Sequence, residues 1–109
     1  MTETDIQRAI MDYLAILERQ GKLLAFRSAS GSFQKDGARF KTGRNGIPDI
    51  SVILAPSGRY VGIEVKSATG KLTDAQVACH DAIGKCGGFV FVARSVDDVR
   101  SVFSDKGII

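Results

Sequence analysis

No apolar run in this 109-residue chain reaches the roughly 18 to 20 residues that a helix needs to cross a bilayer. The opening residues, Met1-Thr2-Glu3-Thr4-Asp5, carry neither the positive flank nor the apolar stretch of a secretory signal, so a cytoplasmic location is expected, with no membrane partner. Cysteine is scarce. Cys79 and Cys86 fall two turns apart in a stretch that reads as one helix, roughly 10 Å and beyond the ~7 Å Cα limit of a disulfide, so free thiols are expected. The chain also lacks Cys/His zinc spacing, internal repeats, linkers and low-complexity tracts. Its length suffices for one core and not two, so one domain over residues 1–109 is expected.

Net charge is small as well: 15 Lys and Arg against 12 Asp and Glu give +3. Its distribution is lopsided. From Arg19 to Lys71 ten bases face only three acids, Asp36, Asp49 and Glu64, whereas the flanking segments hold the other five bases and nine acids. A basic centre whose few acids lie in or beside apolar stretches points to a polyanion partner, against the plainer reading of a solvated face balanced by acidic helices.

Ile6, Ala9, Ile10, Tyr13, Leu14 and Leu17 recur at helical spacing, with Thr4 and Gln7 as a capping box and Gly21 as a stop. Lys22 to Ser30 reads as a strand. Gly31, Gly37, Gly43 and Gly46 then punctuate a loop with one short strand, Ala38 to Thr42. The runs Ile47 to Leu54 and Arg59 to Lys66 flank Pro56-Ser57-Gly58 and form a β-hairpin. Thr73 and Gln76 make a second capping box, opening a helix through about Lys85 that stops at Gly87-Gly88. Phe89 to Ala93 is a short apolar run, read as a strand buried on both faces and not as a stacking platform for bases. Ser95 caps a last helix from Val96 to about Phe103. The expected fold class is α/β, in the order α-β-β-β-α-β-α, with a mixed central β-sheet whose last strand is reached by a helical crossover.

Alternation puts Glu64 and Lys66 on one face of their strand, away from Ile63 and Val65. Folding the hairpin about Ser57 sets Asp49 opposite Val65 or Lys66, close enough to approach Glu64 directly or diagonally. Two ionised carboxylates about 4 Å apart repel by about 4 kcal/mol at an effective dielectric of 20, so a positive group belongs between them. A hard divalent metal and the Lys66 ammonium both answer. Mg2+, with Mn2+ as its substitute, takes oxygen ligands and is commonly held by one or two carboxylates together with substrate phosphate. Lys66 beside it could orient or deprotonate water, or neutralise charge developing on phosphorus. A purely structural Glu–Lys pair, with Asp49 capping a strand, stays open on spacing alone.

Pro48-Asp49, a short hairpin and Glu64-Val65-Lys66 together form the PD-(D/E)xK pattern of the restriction-endonuclease-like nucleases. Glu3 to Gln7, Gly43 to Ile50, Gly62 to Lys66 and Lys71 to Gln76 resemble the virus-type replication-repair nuclease domain, VRR-NUC, over about Glu3 to Val96. The resemblance implies a restriction-endonuclease-like core and a metal-dependent DNA nuclease. Its stand-alone phage and bacterial members suggest branched DNA, such as four-way (Holliday) junctions, as substrate. It implies Asp49 and Glu64 as metal ligands, the Val65 carbonyl as a further ligand and Lys66 as the catalytic lysine. Glu3 matches the acid of the first helix, near the metal directly or through water, although an acid in a first turn also serves the helix dipole. Gln76 matches the glutamine that orients Lys66 or a phosphate, although its capping box accounts for it equally. Where related nucleases carry Q-x-x-x-Y, this chain has Gln76-Val77-Ala78-Cys79-His80; the histidine at the tyrosine place could still face the site one turn after Gln76, although a lone histidine on a helix reads first as a surface residue.

Arg27, Arg39, Lys41, Arg44 and Lys71 are candidate phosphate contacts around the cleft. Two symmetric cuts in a four-way junction need two centres, and one chain has one, so a homodimer is expected, with the opening helix and the Arg39 to Gly46 loop as candidate interfaces. Three alternatives remain: a DNA-binding module without catalysis, a monomeric flap or nicking nuclease, and a hydrolase of small phosphate esters.

Overall fold

From Val61 to Val65 every residue is buried, and alternate side chains leave the strand on opposite faces, so both faces of it must be covered. The computed structural model, which describes residues 1–28 and 31–109 except for the side chains of residues 31–33 and 40–42, covers one face with two helices and the other with one. Helix α1 (Glu3–Arg19) buries Ile6, Ile10, Leu14 and Leu17. Its N-cap is Thr2, whose side chain accepts from Asp5 N–H at 3.1 Å while Asp5 accepts from Thr2 N–H at 3.3 Å. The structure thus differs from the Thr4–Gln7 expectation. The earlier start brings Glu3 into the first turn, where the helix dipole favours an acid.

Strands β1 (Leu23–Arg27), β4 (Ile50–Leu54), β5 (Tyr60–Val65) and β6 (Phe89–Ala93) form a mixed sheet in the order β1-β4-β5-β6, separate from a ribbon of β2 (Gly31–Lys35) and β3 (Ala38–Thr42). β1 to β4 and β4 to β5 are antiparallel, and β6 runs parallel to β5 after helix α2 (Asp74–Lys85). Helix α3 (Val96–Asp105) closes the chain, its N-cap Ser95 accepting from Asp98 N–H at 3.1 Å. The expected order α-β-β-β-α-β-α holds for the central sheet. The ribbon adds a strand, β2, where only Ala38 to Thr42 was expected. Ala29 and Ser30, the end of the strand expected over Lys22 to Ser30, lie outside the described residues.

Ile50, Val52, Val61, Ile63 and Val65 join Ile10, Leu14, Val99 and Phe103 in the apolar core. β6 is half-buried rather than buried on both faces, because it is the sheet's edge and hydrogen-bonds only to β5. Phe89 and Phe91 still pack against the core, their rings stacked with centroids 5.5 Å apart. Cys79 is buried and Cys86 exposed, and both are free thiols. Among the described residues no helix is long and apolar enough to cross a membrane.

Candidate active site

The opposite set of side chains on β5 is Tyr60, Gly62 and Glu64, and their β4 partners are Ile53 and Ser51. The ladder runs one residue tighter than a hairpin folded about Ser57 would give: Ile50 pairs with Ile63, so Asp49, just before β4, falls on the Glu64 side and not opposite Val65 or Lys66. Two close approaches fix it there. The Pro48 ring packs on Gly62, where any Cβ would lie 2.7 Å from Pro48 Cγ. Gly46, at φ +80°, lies against α2, where a Cβ would come within 2.1 Å of the Ala75 carbonyl oxygen. Neither position accommodates a larger residue without moving the loop that carries Asp49.

Asp49 Oδ2 accepts from Val65 N–H at 2.7 Å. Glu64 is 1% exposed, and its Oε1 lies 2.9 Å from His80 Nε2 on α2. Burial, and then the adjacent Asp49 carboxylate, push the Glu64 carboxyl well above the usual range; Lys66 opposes the shift and Glu3 adds to it. Burial and the Lys66 ammonium hold His80 below the ordinary histidine value, with Asp49 opposing. Lys66 is itself buried, and its N–H donates to the Ala93 carbonyl at 3.1 Å, extending the β5–β6 pairing by one residue. The site therefore places two acids, a buried lysine and a histidine at the end of β5.

Glu3 reaches the same end of the sheet from α1, its Oε2 accepting from Ser67 N–H at 3.3 Å. Arg94 ties down the segment beyond Lys66 through the carbonyls of Ser67 and Gly70. Gln76 makes the capping box, accepting from Thr73 N–H through Oε1 at 2.9 Å, which leaves its amide N–H groups for another partner. Arg27 is exposed on β1 opposite Ile50, one residue from Ser28, whose N–H donates to the Asp49 carbonyl. Lys71 is exposed in the segment leading to α2, and Arg39 is exposed on the ribbon. The side chain of Lys41 lies outside the described residues. Arg44 lines a separate cavity of about 510 Å³ with Arg59, Tyr60, Cys79 and Ile83, which includes none of Asp49, Glu64 and Lys66.

One feature had no counterpart in the sequence reading, and one was left open by it. Ser28, Ser51 and Tyr60 form a hydroxyl chain across β1, β4 and β5, with oxygen separations of 2.6 and 2.8 Å. His80 faces Glu64 and not solvent; its position one turn after Gln76, beside buried Cys79, is the signal that points inward.

Among the described residues no three His, Cys, Asp or Glu side chains converge as a cation cage. The donor chemistry that is present, two carboxylates and the neighbouring backbone carbonyl of Val65, fits a hard cation that fills its shell with water and phosphate oxygens. Residues 4–97 match the VRR-NUC domain family. A solved structure of a VRR_NUC domain aligns with TM-score 0.66 at 25% identity, covering 95% of this chain and 97% of the other. No curated protein matches the chain.

Proposed function

This chain belongs to the VRR-NUC domain family and is a nuclease of the PD-(D/E)xK type, and from that premise we propose that it is a Mg2+- or Mn2+-dependent endodeoxyribonuclease acting on branched DNA as a homodimer. The observation that carries the metal dependence is the pair of carboxylates, Asp49 and Glu64, held on one face of β4–β5, each with one oxygen already engaged and beside a buried lysine. Charge repulsion between them, unrelieved by Lys66 alone, is what a divalent cation offsets.

Asp49 and Glu64 would hold the cation with the Val65 carbonyl, and Glu3 would support it from α1. When bound, the cation supplies Lewis acidity toward the phosphodiester. The Lys66 ammonium lies beside the reacting phosphate, where it orients the attacking water or balances the charge that develops on phosphorus. Gln76 uses its uncommitted amide N–H groups to hold a phosphate oxygen or Lys66. Arg27, Arg39, Lys41, Arg44 and Lys71 hold the flanking backbone, which needs cations and little sequence readout.

Branched DNA and the dimer are linked. One chain offers one pair of carboxylates, and two cuts on symmetry-related strands need a twofold pair. Exposed apolar residues, Ile16 on α1 and Leu24 and Phe26 on the edge strand β1, supply surface for such a pairing. The test is digestion of linear, flapped and four-way DNA with and without Mg2+, with light scattering alone and with a junction. The proposal expects Mg2+-dependent cutting of the four-way DNA by a dimer. Cutting in chelator contradicts the metal, and a monomer that nicks only flaps contradicts the dimer.

A further inference from the structure

His80 is the one histidine of the chain, and its Nε2 lies 2.9 Å from Oε1 of a carboxylate that is 1% exposed. The contact is built into the scaffold. Helix α2 is fixed at its start by the Thr73–Gln76 capping box and by Gly46 against Ala75, and Glu64 is fixed in the sheet by its pairing with Val92. Neither side chain reaches the other by chance from a mobile segment.

The two carboxylates are held in the same manner. Asp49 has Oδ2 engaged by Val65 N–H, and Glu64 has Oε1 engaged by His80 Nε2, so the scaffold holds one oxygen of each, and the two carboxylates lie within hydrogen-bonding reach of each other when one is protonated. When Glu64 is ionised it only accepts, so Nε2 must carry the proton and donate it. We propose that His80 is a positioning residue that donates from Nε2 to Glu64 Oε1 and thereby turns Oε2 toward the cation shared with Asp49. This rests on the metal-dependent reading above and names the support of one of its ligands. Hydrogen bonds to ligating groups of this kind typically govern metal affinity by about 10- to 100-fold.

A direct-ligand role for the imidazole makes a different forecast. Imidazole nitrogen suits transition metals and contributes little to Mg2+, so loss of a ligand falls on Mn2+, whereas loss of a positioning bond falls on both cations. Calorimetric titration of Mg2+ and of Mn2+ into the wild type, His80→Ala, His80→Gln and Asp49→Ala separates them, with thermal unfolding as the check of fold. The proposal expects His80→Ala to weaken both cations by about 10- to 100-fold. His80→Gln, whose amide N–H can reach the same oxygen, should recover most of that loss, and it keeps the test decisive if the alanine variant does not fold. Combining His80→Ala with Glu64→Gln should add nothing to the effect of Glu64→Gln alone. Unchanged affinity in folded His80→Ala overturns the proposal, as does a loss confined to Mn2+ in both His80 variants. A wild type that binds neither cation, with Asp49→Ala indistinguishable from it, overturns the metal-dependent reading itself and this proposal with it.

Discussion

The two faces of the central sheet are made by the same strands and differ in nearly every side chain. Toward α1 and α3 the sheet presents Ile50, Val52, Val61, Ile63 and Val65, all buried and all apolar. Toward α2 it presents Ser51, Tyr60, Gly62 and Glu64, with Asp49 at its mouth and His80 above, a set almost as enclosed but polar. Enclosure on both sides is why the alternation is hard to see as hydrophobicity: Glu64 and Ile63 are equally inaccessible. The apolar face supplies the burial that holds the fold. The polar face gives up that contribution to keep one carboxylate and a lysine out of water beside a second, half-buried carboxylate, which a chain retains at a cost unless something positive comes to join them.

Substitutions on the polar face should separate chemistry from stability, and the largest effects are expected there. Asp49→Ala should abolish cleavage in a folded protein, because on the proposed reading it removes a cation ligand and it relieves repulsion with Glu64; gel cleavage assays with circular dichroism check both halves. Lys66→Ala should eliminate turnover while four-way DNA still shifts in a gel, since one cation is a small part of a basic surface. Retained cutting in Lys66→Ala would return the pair to a structural role.

On the apolar side, Leu14→Ala at a fully buried position of α1 should cost about 2 to 5 kcal/mol in denaturant unfolding, with cleavage per folded molecule little changed. A loss of cleavage without a loss of stability would erase the distinction between the faces.

Acid–base behaviour sharpens the same distinction. The folded protein holds the Glu64 proton above the ordinary value of 4.5 that applies to the unfolded chain. Without metal, the unfolded state therefore releases this proton first as pH rises. The corresponding stability is fully present below about 4.5 and is lost as pH climbs toward the folded value. Glu64→Gln should remove that slope, and thermal unfolding from pH 4 to 8 in chelator, with pH 4 and 8 as roughly the ends of the useful range, measures it.

The smallest effect is expected outside both faces. Among the described residues the β2–β3 ribbon packs against no other element, so Arg39→Ala should leave unfolding unchanged. It should weaken DNA binding uniformly and lower the salt slope by about one. A salt titration of binding reads that change.

What the sequence made legible follows the same division. Helix periods, the second capping box, the Pro56-Ser57-Gly58 reversal and the Glu64/Lys66 alternation are local signals, and the corresponding elements stand where those signals put them. The ribbon's first strand, β2, was not legible because among the described residues it pairs with β3 alone, and no other element packs on it to impose a two-residue burial pattern. The hairpin register slipped by one because turn chemistry alone does not distinguish Ser57 as its centre; the packing of Pro48 on Gly62, a contact between strands, does. The role of His80 depended on a helix-to-sheet contact that spacing within α2 leaves undetermined.

Two neighbours on β5 carry the central claim, Ile63 turned toward α1 and α3 and Glu64 turned toward α2. The decisive measurement is Mg2+-dependent cleavage per folded molecule of Ile63→Val and Glu64→Gln, with stability followed in parallel. Ile63→Val should lose about 0.5 to 1.5 kcal/mol and cut as the wild type does, whereas Glu64→Gln should lose no stability and stop cutting. Wild-type cleavage by Glu64→Gln would contradict the account.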